Sequence, residues 1–162
     1  MIRKKNRFSR PKKPFESTRI TEENKLRAQY GLKNKKEIWK SVAKITYYRT
    51  RAKALAKSPV EEQEVLIRKL KALGFKVNTL MDILDLRVED ILNRRITTIV
   101  SSKGLANTPR HARQMVVHKK IRVAGQIVNV PSYIVPVDKE NQIELVKKEK
   151  VKKAAPVEEV AQ

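Results

Sequence analysis

The chain has 162 residues, with 38 Lys and Arg against 17 Asp and Glu, a net charge of +21. That excess is more than folding requires and implies a polyanionic partner, nucleic acid before an anionic membrane. The absence of cysteine excludes disulfides, thiolate metal sites and a cysteine nucleophile and fits a cytoplasmic, reduced compartment, while no apolar run approaches the roughly 18 residues of a membrane span and the basic start lacks the apolar stretch of a secretory signal.

The charge is uneven. Residues 1–60 hold 19 Lys and Arg against Glu16, Glu22, Glu23 and Glu37. Residues 1–18 mix Lys, Arg, Pro and Ser with only Ile2, Phe8 and Phe15 as large apolar side chains, too few to offset the entropy of ordering. They read as a flexible arm that orders against a polyanion, with Arg3, Lys4, Lys5, Arg7, Arg10, Lys12 and Lys13 as its contacts. Thr21 is the expected N-cap of a short helix, with Glu22 and Glu23 in its first turn and Gly31 as its stop. A longer helix follows over 34–57. Ile38, Val42, Ile45 and Ala52 recur on one face, and at about 100° per residue Lys36, Lys40, Lys44, Tyr47 and Arg51 fall on the opposite one. No acid relieves this stripe at i+4, and phosphate contacts would remove its self-repulsion. A merely solvated face is the alternative. Arg49 is the exception that falls on the apolar side, where it either snorkels or lets that face meet RNA.

Ser58 and Pro59 read as N-cap and first residue of the next helix, with Glu61 closing a capping box, Val65, Leu66, Leu70 and Leu73 as the buried face and Gly74 as the stop. NTLMDILDL is a capped short helix or turn whose Leu80, Ile83, Leu84 and Leu86 join the two halves. RVEDILNRRITTIVSSKG reads as one amphipathic helix, burying Val88, Ile91, Leu92, Ile96, Ile99 and Val100 while Arg94 and Arg95 emerge; Lys103-Gly104 closes it. Thr108 caps the helix 109–118, with Pro109 at its first position and Ala112, Met115 and Val116 as its buried arc. IRV and IVNV flank Ala124-Gly125 as a hairpin, and PSYIVPV and NQIEL suggest two further short strands. The tail from Lys147 is charged and of low complexity, hence expected to be disordered.

Both histidines, His111 and His118, lie on the helix 109–118, about 10.5 Å apart along its axis. A shared metal would need both nitrogens within about 2 Å of it, which this spacing forbids. One scissile phosphate could not meet both rings, and no nearby acid orients either. They read as flank residues with at most an RNA contact each. The surroundings are more informative. Thr108 caps a helix start that would present free N–H groups and a positive dipole end, Arg110 and Arg113 flank it, and Lys119, Lys120 and Arg122 enter the hairpin. Two basic clusters about one helix length apart suit a folded RNA backbone, arginine gripping phosphate as a fork and lysine as a point charge.

These residues resemble a known module. ILNRRI followed by TPRHARQMVVHKKIRVAGQIVNVPSYIV is similar to the S-four RNA-binding module over roughly 86–145. Thr108 takes its serine position, Arg110, Ala112, Arg113, Met115 and Val116 its helix, and Ile121, Val123 and Gly125 its turn. RNA-modifying enzymes and one class of tRNA synthetase also carry that module. RPKKPFESTRITEENKLRAQYGLKNKKEIWK, above all Tyr30 to Lys40, resembles the archaeal and eukaryotic form of the small-subunit ribosomal protein S-four family. Together the resemblances span about 10–145. They imply direct binding of small-subunit ribosomal RNA at a junction of the 5′ domain, nucleation of assembly, and a place near the messenger entry channel. The implied partners are neighbouring small-subunit proteins and messenger RNA. No catalytic site, cofactor, metal, membrane or small-molecule substrate is implied. Three departures stand out: Lys119 where the module often has glycine, Ala124 where it usually has asparagine, and no zinc-binding cysteines of the kind some bacterial members carry.

The sequence thus predicts an α+β protein. A basic arm (1–18) leads into a helical, basic RNA-binding region (19–85), which packs on a helix–helix–hairpin module with a small antiparallel sheet (86–145); a disordered charged tail follows (146–162). The expected contacts are the arm, the stripe Lys36, Lys40, Lys44 and Arg51, and Arg110, Arg113, Lys119, Lys120 and Arg122 in the module. The rivals are an RNA-modifying or RNA-cleaving enzyme and a free RNA-binding protein. Against the enzyme, residues 1–85 offer no Gly-rich loop, no nucleophile constellation and no paired carboxylates in a basic setting. The expected setting is the cytoplasmic ribosome.

Overall fold

The structure is a computed structural model that describes residues 8–146. Arg3, Lys4, Lys5 and Arg7 and the tail from Lys147 lie outside the described residues. The elements run α1 (Ser17–Gln29), α2 (Lys36–Leu55), α3 (Val60–Ala72), α4 (Leu80–Asp85), α5 (Val88–Asn93), α6 (Ile96–Ser102), α7 (Pro109–Val117), β1 (Ile121–Val123), β2 (Gln126–Ile127), α8 (Val137–Glu140) and β3 (Ile143–Leu145). The three strands form one antiparallel sheet in the order β2-β1-β3. The predicted α+β class, helices with a small antiparallel sheet, is what the chain adopts.

Local signals place several elements as expected. Thr79 and Asp82 close a reciprocal capping box on α4, and Thr108 caps α7 through a 3.1 Å bond from the His111 N–H, with Pro109 at the first position. Gly31, Gly74 and Gly104 end α1, α3 and α6 at φ +59, +82 and +71. Two glycines also permit close approaches: a Cβ on Gly31 would lie 2.8 Å from the Arg110 amide nitrogen and the Pro109 carbonyl carbon, and one on Gly74 would collide with the Arg94 guanidinium.

Other starts and faces differ from the sequence reading. Helix α1 begins at Ser17, four residues before Thr21, whose hydroxyl instead donates back to the Ser17 carbonyl. Pro59 rather than Ser58 is the N-cap of α3, with no side-chain cap; the Ser58 carbonyl accepts from Gln63. On α2, Ser41 and Tyr48 are buried with Ile38, Ile45 and Ala52, while Val42 is exposed. On α3, Leu66 and Leu70 are buried and Val65 is exposed, Ile67 packing in its place. The segment 88–102 is two short helices rather than one, broken at Arg94 and Arg95; Arg95 is extended (φ −74, ψ 145) and buried at 4% exposure. PSYIVPV forms no strand. It makes a single antiparallel bridge, Ile134 to Arg95, before the turn of α8.

Three apolar clusters hold these elements among the described residues. One joins α6, α7, β1, β3 and Val135. A second joins α2, α3, Phe75, Val77, α4 and α5, with Ile134 against it. A smaller third, Tyr30, Leu32, Ile38 and Leu92, carries the α1–α2 turn onto α5, and the Tyr30 hydroxyl donates to Asn93 Oδ1 at 3.0 Å. Tyr30 is thereby desolvated, and burial pushes its phenol up from its ordinary value. No helix of the described residues is long and apolar enough to cross a membrane.

Candidate nucleic-acid interface

The outer face of α2 follows from helical spacing. Lys36, Lys40, Lys44, Tyr47 and Arg51 are all exposed, as the stripe requires. Among the described residues Lys36 and Lys40 have no carboxylate partner, and Arg51 spends one N–H on the Tyr47 hydroxyl at 3.3 Å. The acid on this helix, Glu37, turns the other way. Arg49 reaches past the apolar side to donate to the Leu86 carbonyl at 2.8 Å, so it is anchored over the α2–α5 seam.

The second basic surface is α7 and the hairpin. Arg110, Lys119, Lys120 and Arg122 are exposed there. Helix α7 closes by a Schellman pattern: the Lys119 N–H donates to the Val116 carbonyl at 3.0 Å and the Lys120 N–H to the Met115 carbonyl at 2.9 Å. Lys119 takes the left-handed position usually given to glycine, φ +59. The hairpin turn has positive φ at both central residues, Ala124 at +48 and Gly125 at +78, the type I′ geometry, even though Ala124 is a poor residue for it. Ile121 and Val123 point into the core and Arg122 points out, paired across β1–β3 with Glu144. The sheet thus holds one cation outward between two buried apolar anchors.

The start of α7 is less open than its cap suggests. Pro109 has no N–H, those of His111 and Ala112 are taken by the Thr108 side chain and carbonyl, and Gly31 lies against the Arg110 N–H. The expectation of free N–H groups is corrected accordingly: the cap takes two of them and the α1–α2 turn lies against the third. His111 and His118 line a shallow recess with Gln114, Met115 and Lys120, which no carboxylate lines. This is the flank position their spacing requires. No group of three or more metal-ligating side chains gathers among the described residues.

Arg113, expected on the RNA side, is half-buried and paired. Its two terminal nitrogens lie 3.0 and 2.9 Å from the Glu37 carboxylate. Arg95 meets the same carboxylate at 2.5 Å. Burial pushes the Glu37 carboxyl up, but the bonds from Arg113 and Arg95 outweigh it and hold the group below its ordinary value. Glu37 therefore ties α2 to α7 and to the α5–α6 junction at once. Arg94, expected to emerge, is also drawn in: it donates to the carbonyls of Leu73 and Val135 at 3.0 and 2.8 Å and pairs with Glu140 at 2.8 Å.

A second carboxylate anchors the start of the described chain. Glu23, 5% exposed, accepts from Arg19 at 2.8 Å and Trp39 Nε1 at 2.9 Å and lies 3.3 Å from Lys35. Burial raises its carboxyl, and the bonds from Trp39, Arg19 and Lys35 bring it below the ordinary range. Phe8 packs on the Trp39 ring at 6.0 Å between centroids. Arg10, Lys12 and Lys13 are exposed along the segment between. Neither carboxylate hub was singled out in the sequence, where Glu23 and Glu37 look like ordinary helix acids.

Comparison with known proteins decides the family. The S4 domain family matches residues 94–141, a range that holds α6, α7, the β1–β2 hairpin and α8 and stops just before β3. The small ribosomal subunit protein uS4 of Korarchaeum cryptofilum is 43% identical over 149 residues, 88% of this chain and 90% of that protein. Its namesake from Methanothermobacter thermautotrophicus is 41% identical over 145 residues, 86% of this chain and 85% of its own. That of Nanoarchaeum equitans is 38% identical over 154 residues, 90% and 86%. The chain belongs to the small ribosomal subunit protein uS4 family. Both halves are covered by these matches, so the basic helical region and the S4 domain belong to one family pattern.

Proposed function

We propose that the chain is a structural constituent of the small ribosomal subunit that binds small-subunit ribosomal RNA directly, by neutralising phosphates and matching backbone shape. The observation that carries this reading is a segregation of charge. Lys36, Lys40, Lys44 and Arg51 on α2, and Arg110, Lys119, Lys120 and Arg122 on the S4 unit, face outward, while Glu23 and Glu37 are turned inward onto arginines. Arg10, Lys12 and Lys13, with Arg3, Lys4, Lys5 and Arg7 before them, extend the contact along the arm. Arg113 serves through Glu37, setting α7 against α2. In this reading the protein nucleates assembly of the 5′ domain and supports translation near the messenger entry channel, beside other small-subunit proteins, in the cytoplasm and without a reaction of its own. The relatives' names, small ribosomal subunit protein, support the assignment.

Salt dependence tests it. Neutralising about 6–10 phosphates gives a steep fall of affinity with salt, each contact adding roughly 0.7–0.9 to the logarithmic slope. Replacing Lys40 and Lys44 together by Ala is expected to flatten the slope by about 1.5; an unchanged slope means that the stripe is only solvated. Co-sedimentation with small subunits through high salt is expected, and a predominantly free pool sinks the ribosomal assignment. RNA turnover by the purified protein that is lost in His111→Ala would return the enzyme reading.

A further inference from the structure

Among the described residues Phe15 is the most exposed of the large apolar side chains, at 92%. A single exposed apolar residue is ordinary, but its setting is not. The turn that carries it is braced from below. One terminal nitrogen of Arg19 donates to the carbonyls of Lys13 and Pro14 at 2.9 and 3.0 Å, and the other donates to the buried Glu23 carboxylate at 2.8 Å. Glu16, next to Phe15, lies 3.7 Å from the same guanidinium, and its carbonyl accepts the Ile20 N–H at 3.1 Å. Phe8, seven residues earlier, does what a phenylalanine ordinarily does and packs, on Trp39. Phe15 has no ring partner among the described residues. A buried carboxylate thus holds, through Arg19, a turn that carries a bare aromatic ring.

The charge around the ring selects its partner. Arg10, Lys12 and Lys13 are exposed on the residues before it, and Glu16, the one acid of the segment 8–16, is next to Arg19. An apolar protein patch would have to desolvate these cations, whereas a polynucleotide brings phosphates for them and a π-face for the ring. We propose that Phe15 is a stacking platform for an unpaired base of the RNA, with Lys12 and Lys13 on the flanking phosphates. The proposal rests on the RNA-binding reading above and adds to it a fixed aromatic contact that salt does not screen.

The test uses the full chain and small-subunit ribosomal RNA transcribed in vitro, with affinity measured across a salt series and folding checked by thermal melts. Phe15→Leu keeps the apolar bulk and removes the π-face. It is expected to bind about 5- to 100-fold more weakly, the range of one lost base stack, with an unchanged salt slope. Phe15→Trp is expected to bind within about threefold of the wild type, as stacking tolerates any large ring. It should also gain an emission component, quenched on RNA addition, over the baseline of Trp39, the chain's one natural tryptophan. Wild-type affinity in Phe15→Leu overturns the proposal and leaves the RNA reading intact, as does equal weakening in the Leu and Trp variants. Loss confined to binding of other small-subunit proteins overturns it in favour of a protein contact. Failure of the wild type to bind the RNA removes both readings.

Discussion

Lys36 and Lys40 on α2, and Arg94 and Arg95 between α5 and α6, look alike in sequence: cations set among apolar residues at helical spacing. Their fates differ. The lysines stay in water on an unbroken helix, without a carboxylate partner among the described residues. The arginines sit where the helix breaks and are drawn inward, onto the carbonyls of Leu73, Val135 and Pro131 and the carboxylates of Glu140 and Glu37. Leu73 is the C-cap of α3, so its carbonyl lacks an intrahelical donor. A guanidinium has five N–H donors in a flat fork and can bridge several such acceptors, which an ammonium on a continuous helix has no occasion to do. The contrast separates two uses of positive charge in one chain: cations facing the solvent for a polyanion, and arginines that bridge the seam between the N-terminal helices and the S4 domain.

The strongest way to break the contrast is to remove the acid that the inward arginines share. Glu37→Ala leaves Arg95 buried and Arg113 half-buried without their carboxylate. A loss of about 3–5 kcal/mol is expected, read by urea unfolding monitored at Trp39; a loss below about 1 kcal/mol would mean the cluster only decorates the seam. The pH dependence has a fixed sign. The Glu37 carboxyl is held below its ordinary value in the folded chain, so its contribution is complete above the unfolded carboxylate range, near 4.3, and fades as pH falls through the lowered folded value. Wild-type stability should therefore drop below about pH 4.5. Glu37→Ala should drop less steeply, the remainder including Glu23, which is shifted the same way.

The same seam is closed by backbone at Gly31. Gly31→Ala would place a methyl 2.8 Å from the backbone of Pro109 and Arg110 at a residue with φ +59. Left-handed strain of about 1 kcal/mol and overpacking of about 1–3 kcal/mol add, so a loss of roughly 2–4 kcal/mol is expected in the same unfolding measurement. The backbone cannot yield as a flexible side chain would. If the loss is under 1 kcal/mol, α1 and α7 are not rigidly docked.

What could be read beforehand sorts by range of interaction. The start, stop and buried arc of α7 were legible because Thr108, Pro109 and the spacing of Ala112, Met115 and Val116 act within two turns. The exposed stripe of α2 was legible for the same reason. The break at Arg94 and Arg95 was not, because every group that pays for it lies at least 21 residues away, from Leu73 to Glu140. Val42 and Val65 misled because apolar identity alone does not say which nearby positions the next helix will cover; Ser41 is buried and Ile67 packs instead. In the candidate interface, Arg110, Lys119, Lys120 and Arg122 emerge as their spacing implies. Arg113 is engaged by Glu37, 76 residues earlier, and only a long-range pairing of opposite charges could have signalled it.

The smallest expected effects sharpen the contrast most, because they separate stability from RNA contact at two residues with one backbone fault. Lys119 and Ala124 both hold positive φ without being glycine, each storing about 1 kcal/mol of strain. Glycine at either position relieves it, less the entropy glycine adds to the unfolded chain. A gain of about 0.5 kcal/mol is expected from Lys119→Gly and likewise from Ala124→Gly, visible as a small rise in the unfolding midpoint. The two should then part in RNA binding. Lys119→Gly removes an outward cation beside Lys120 and should lower the salt slope by roughly 0.7–0.9. Ala124→Gly removes no charge and should leave the slope unchanged. If the two variants bind RNA alike, Lys119 makes no phosphate contact, and the outward set on the S4 domain narrows to Arg110, Lys120 and Arg122.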